Sequence, residues 1–104
     1  MMISKTERKR FRTIGHTLKP IVTIAGNGLS DSVLNELDRA LEDHELIKVK
    51  INAENREDRS STVQQITEQT NTHLVQRIGN VALIYKAAVK PNPKLSNVMR
   101  SRII

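Results

Sequence analysis

Cysteine is absent from the 104 residues, and tryptophan is absent with it. Without thiols the chain has no disulfide framework, redox pair, zinc ribbon or iron–sulfur ligand set, which fits a reducing compartment. Phe11 and Tyr85 are the only aromatic residues, so a platform of rings for stacking bases cannot be assembled. No apolar run approaches the ~20 residues that cross a bilayer. The basic start from Lys5 to Arg12 leads into Thr13-Ile14-Gly15-His16 rather than an apolar signal core, so a soluble, cytoplasmic protein is expected, with no membrane partner. His16, His44 and His73 are too far apart for the two-histidine pitch of a helical metal site, and no metal is expected. The acids from Asp31 to Glu45 lie mostly along one amphipathic segment, where nothing nearby forms the apolar pocket that would raise one of them for acid–base work. No catalytic residue, cofactor or small-molecule substrate is assigned.

What is present is one domain's worth of chain. With 38% hydrophobic and 27% charged residues, 104 residues build one core and bury roughly 60–70% of the surface of the unfolded chain. Lysine and arginine number 17 against 11 acids, a formal charge of +6, which favours a polyanionic partner such as a nucleic acid. The charge is unevenly placed. Residues 1–20 carry +5, residues 21–55 carry −4, residues 56–85 are neutral, and residues 86–104 carry +5 with no acid. The last stretch, interrupted by Pro91 and Pro93, reads as a mobile extension, so the folded domain is expected at 3–87 with a basic tail at 88–104.

Periodicity supplies the elements. Ser4 to Leu18 reads as a helix with Ser4 and Glu7 as a capping box; Lys5, Arg8, Lys9 and Arg12 fall on one side, Phe11, Ile14 and Leu18 on the other. Ile21–Ile24 is apolar enough for a strand buried on both faces. Leu29 to Asp43 forms a second helix with Ser30 as cap, and Glu45–Ile51 alternates with Ile47, Val49 and Ile51 opposite Lys48 and Lys50. A third helix over 57–71 would bury Val63, Ile66 and Thr70. Leu74–Ile78 and Val81–Lys86 flank Gly79-Asn80 as a hairpin. The order is αβαβαββ, an α/β domain with a mixed four-stranded sheet, its first three strands largely parallel and the fourth antiparallel.

Candidate binding residues follow from charge and from one loop. The stripe Lys5, Arg8, Lys9 and Arg12 carries no interspersed acid. Lys48 and Lys50 either bind or guard an open sheet face against association, and both readings stand. Gly26-Asn27-Gly28 joins a strand to a helix N-terminus, where free N–H groups and the helix dipole suit a phosphate, although a tight turn explains the same residues. The loop lacks the lysine and hydroxyl of a P-loop and the three-glycine spacing of a dinucleotide site.

Leu18-Lys19-Pro20-Ile21-Val22, Gly26-Asn27-Gly28-Leu29-Ser30, His44 to Ile51 and Ile78 to Tyr85 together resemble the bacterial YhbY proteins, stand-alone members of the CRM (chloroplast RNA splicing and ribosome maturation) domain family. The resemblance covers residues 3–87. It implies an RNA-binding domain similar to the C-terminal domain of a translation initiation factor, acting on ribosomal RNA in large-subunit precursors. The family's GxxG loop, likened to that of KH domains, falls at Ala25-Gly26-Asn27-Gly28, with alanine in place of the first glycine. Many relatives carry a basic residue where Asn27 stands, which shifts the electrostatic role to Lys19 and the first helix. The expected RNA-binding set is Lys5, Arg8, Lys9, Arg12, Lys19, Gly26, Asn27, Gly28, Lys48 and Lys50. A second expectation is an adaptor whose acidic second helix binds a basic ribosomal protein or assembly factor.

Overall fold

Ser4 closes the first helix from both sides: its hydroxyl accepts from the Glu7 N–H at 3.1 Å, and the Glu7 carboxylate accepts from the Ser4 N–H at 3.4 Å. That capping box starts α1 (Lys5–Gly15), three residues shorter than its apolar pattern suggests. Gly15 ends it against the sheet, where a Cβ would lie 2.6 Å from Leu83 Cδ2, so a larger residue would force the Leu83 side chain to shift. The computed structural model describes residues 3–25 and 29–100. Gly26, Asn27 and Gly28 lie outside the described residues.

The remaining elements are β1 (Pro20–Ile24), α2 (Asp31–His44), β2 (Leu46–Ile51), α3 (Arg56–Thr70), β3 (His73–Ile78), β4 (Val81–Tyr85) and a short α4 (Asn97–Arg100). Ser30 and Asn55 cap α2 and α3 through side-chain oxygens that accept from Val33 N–H and Asp58 N–H. Asn71 ends α3 in the left-handed region, which asparagine tolerates. Gly79 takes a φ of +58° in the β3–β4 turn.

The four strands form one mixed sheet in the order β1-β2-β4-β3. β1 pairs with β2 in parallel, and β4 runs antiparallel to both β2 and β3. The first three strands thus share a direction, but β4 lies between β2 and β3. This placement makes β1 an edge strand and corrects the expectation that it is buried on both faces: Val22 and Ile24 are buried while Ile21 is 49% exposed. The apolar run signals an edge over a partly uncovered face.

Each face of the sheet has its own apolar layer. On one, Val22, Ile24, Ile47, Val49, Ile51, Ala82 and Ile84 meet Leu37 and Leu41 of α2 and Val63 and Ile66 of α3. On the other, Leu46, Val75 and Leu83 meet Phe11 of α1 and Val98 of α4. Phe11 stacks on Tyr85 with ring centroids 4.5 Å apart, so the two aromatic residues serve the core.

Residues 88–100 do not form the mobile extension expected from their composition. Their polar groups are bound by the end of α2 and the start of β2. Glu45 accepts from Ala88 N–H at 2.8 Å and from the Ser96 hydroxyl at 2.6 Å, and Glu42 accepts from the N–H groups of Val89 and Lys90 at 3.2 and 3.1 Å. Asn97 donates to Leu46 O at 2.7 Å, Arg10 donates to Val98 O at 2.8 Å, and Val98 is buried. The acids that balance this tail lie at positions 42 and 45, more than 40 residues before it in the chain. Packing therefore continues beyond residue 87.

Removal of residues 88–104 uncovers Val98's niche, worth about 1.5–3 kcal/mol, and leaves the Glu45 carboxylate short of partners, a further ~1–3 kcal/mol, offset in part by the entropy of freeing the segment. A net loss of about 1–3 kcal/mol is expected, seen as a melting temperature lower by roughly 5–15 °C; an unchanged melting curve would contradict the packing.

The Glu42 carboxyl is held below its usual range, first by the Lys90 N–H, then by the Val89 N–H, against a small desolvation effect and with help from Lys86. Because folding lowers this pKa, the contact is complete above the ordinary carboxylate value and fades as the pH falls through the lowered one. Hydrogen exchange at Val89 and Lys90, corrected for its intrinsic pH dependence, should therefore accelerate on acidification relative to the sheet. In Glu42→Gln that difference should vanish.

Candidate nucleic-acid interface

α1 crosses only part of its face of the sheet. The side chains left partly or wholly uncovered belong to alternate positions: Ile21 on β1, Lys48 and Lys50 on β2, Val81 on β4, and Gln76 and Ile78 on β3. Ile78 is 63% exposed, so this half of the face has no apolar cover. Two adjoining depressions, each of about 210 Å³, share Lys48. One is lined by His16, Pro20, Gln76, Ile78, Val81 and Leu83 together with Lys48. The other brings Lys19, Thr17, His44, Asn97 and Arg100 around the same lysine.

This arrangement divides the expected residues into groups. Lys5, Lys9 and Arg12 are exposed along α1, as a binding stripe requires. Lys19 and Lys48, far apart in sequence, line one depression, and Lys50 is exposed farther along β2. Arg8 is different. Its guanidinium donates to Leu74 O at 2.7 Å and to Val75 O at 3.1 Å, where the β3 register shifts between Leu74 and Gln76. A bulge interrupts regular pairing there, and Arg8 ties α1 to the carbonyls at that irregularity. This contact is structural, and the helical pattern alone could not show it.

Sequence reasoning missed Arg100 because the tail reads as mobile. It also passed over Arg10, which joins α1 to α4 and lies 5.9 Å from the Phe11 ring centroid. On the opposite face, α2 exposes Asp31, Glu36 and Asp38, while Glu42 and Glu45 are engaged by the chain's own tail. The sheet thus separates a basic side from an acidic helix. His44 Nδ1 lies 2.9 Å from Leu95 O, and His73 stacks near Tyr85, so two of the three histidines have local partners. Among the described residues, no helix is long and apolar enough to cross a membrane and no cluster of potential ligands could hold a metal ion.

A mixed four-stranded sheet with helices on both faces and a lysine-lined open half defines a small α/β domain suited to anionic surfaces. The sequence model of the CRS1/YhbY (CRM) domain matches residues 3–86, and the chain belongs to that family. A Pseudomonas aeruginosa protein named as a probable RNA-binding protein is 47% identical over 100 residues, covering 96% of each chain. An RNA-binding protein of Haemophilus influenzae is 38% identical over 87 residues, 83% of this chain and 88% of the relative. The fold matches the solution structure of a hypothetical Staphylococcus aureus protein proposed to bind RNA, with a TM-score of 0.75, 29% identity, and coverage of 91% of this chain and 98% of that one.

The division of α1 is testable. Lys5→Gln, Lys9→Gln and Arg12→Gln together should leave the melting temperature nearly unchanged and lower the slope of log affinity against log salt for RNA, by about 0.7–0.9 for each phosphate that is no longer neutralised. Arg8→Gln should instead cost about 1–2 kcal/mol of stability. A triple variant with the wild-type slope would remove α1 from the interface.

Proposed function

We propose that this protein is a non-enzymatic RNA-binding module that acts in the cytoplasm on ribosomal RNA of large-subunit precursors during ribosome assembly. The observation that carries the reading is the open half of the sheet, where Lys19, Lys48 and Arg100 line one depression beside the exposed α1 lysines. With Phe11 and Tyr85 stacked on each other in the interior, recognition rests on phosphates and backbone shape rather than on stacked bases. Names of relatives support RNA as the partner, and the likeness of the ordered motifs to YhbY proteins supports the ribosomal target. The acidic helix is a weaker basis for an adaptor, because Glu42 is occupied by the N–H groups of Val89 and Lys90.

Sedimentation of cell extracts tests this directly. The protein should migrate with large-subunit precursors and be released by ribonuclease or by raised salt. Purified protein should bind deproteinised large-subunit RNA, with affinity falling steeply as salt rises. Comigration without binding to the naked RNA would favour the adaptor and overturn the proposal.

A further inference from the structure

β1, β2 and β3 share a direction, so their carboxyl ends and the N-termini of α2 and α3 lie along one edge of the sheet. At that edge, on the α3 side, Arg56, Arg59 and Arg77 line a cleft of about 380 Å³ with Gly79 of the β3–β4 turn. The helix and hairpin bring Arg56 and Arg77 together although they stand 21 positions apart in sequence.

Helical geometry explains why the cleft is basic although Glu57 and Asp58 are close in sequence. Arg56, Arg59 and Ser60 fall within about 100° of the helix circumference, while Glu57 and Asp58 turn to other directions. Asp58 is further engaged by the cap, its carboxylate accepting from Asn55 Nδ2 at 3.1 Å. Arg77 is fixed by donating to the Ser60 hydroxyl at 2.6 Å and more weakly to Arg56 O at 3.5 Å. Arg59, which lines the cleft, keeps its Nε buried without a hydrogen-bond partner. Among the described residues, no carboxylate pairs with any of the three guanidinium groups.

We propose that the Arg56–Arg59–Arg77 cleft is a phosphate-binding site that takes a backbone phosphate of the bound RNA. It rests on the RNA reading above and extends the contact surface around the edge of the sheet from the face that carries Lys48 and Lys50. A backbone phosphate offers two anionic, non-bridging oxygens to planar guanidinium donors. Gly79 contributes no side chain, and a Cβ there would meet nothing within 4 Å, so the hairpin leaves the mouth open.

Two measurements on the full chain decide the matter. Titration of the ¹⁵N-labelled protein with inorganic pyrophosphate, at ionic strength held constant with chloride, should give saturable amide shifts at residues 56–60 and 79–80. These should disappear in the double variant Arg56→Gln, Arg59→Gln. With RNA, that variant should lower the salt slope by about 0.7–0.9 units, the share of one phosphate, whereas Arg56→Lys, Arg59→Lys should retain most of it. Shifts that do not saturate, or that persist in the glutamine variant, would overturn the site, as would an unchanged slope with RNA still bound. If wild-type protein binds no RNA, the RNA reading fails, and the pyrophosphate titration still decides whether the cleft holds phosphate.

Discussion

The fold depends on one acid at a junction. Glu45 stands between α2 and β2 with φ +61°, a region that costs a non-glycine residue on the order of 1–3 kcal/mol. Its backbone serves both elements, the N–H donating to Leu41 O at 2.8 Å and the carbonyl accepting from Lys86 N–H at 2.9 Å. Its buried carboxylate then gathers Ala88 and Ser96. A glycine could turn the chain here with less strain, but it would leave those donors without an acceptor. The tail, the sheet and the acidic helix therefore meet at a residue whose strained backbone is offset by the bonds that its side chain makes.

That junction also sorts the charge. By engaging tail N–H groups, Glu42 and Glu45 draw residues 86–100 toward the end of α2, and α4 comes to rest beside Phe11 and Leu46. Arg100 thereby reaches the depression that holds Lys19 and Lys48. α1 and α4, drawn from the two basic ends of the chain, lie on the same side of the sheet. Repulsion between them is offset by the carboxylates of Glu42 and Glu45, which bind backbone N–H groups of the tail rather than its cations.

Elements governed by local rules were legible in the sequence. The Ser4–Glu7 capping box, the Ser30 cap, the buried side of α3 at Val63, Ile66 and Thr70, and the Gly79 turn all follow from residues within a few positions of one another. Features set by distant partners were not legible. Ile21 looked like core because its neighbours in sequence are apolar, yet strand order leaves it at an edge. Arg8 shares the helical face of Lys9 and Arg12, and only the irregularity in β3, 66 residues away, turns it inward. Ser96 and Asn97 lie in a proline-interrupted basic stretch whose anchors are 51 residues earlier. The cleft residues Arg56 and Arg59 fell in a segment of zero net charge, where averaging over residues hid the separation of acids and bases around the helix.

A surface poor in aromatic rings reads nucleic acid differently from one that stacks bases. Lysines and arginines neutralise phosphates, and a flexible array of them would bind any polyanion with little preference. Selectivity for a folded RNA then requires the cations to be held at fixed separations that match phosphate positions across a groove or junction. The structure supplies that rigidity at identifiable points: Gly15 sets α1 directly on Leu83, Arg8 locks the same helix to β3, and Arg77 holds α3 to the hairpin. Each of these contacts fixes the spacing of charges carried by neighbouring residues without itself needing to touch RNA. On the proposed RNA-binding reading, the contacts of Gly15, Arg8 and Arg77 are part of recognition, because they convert a basic composition into a defined pattern of positive charge.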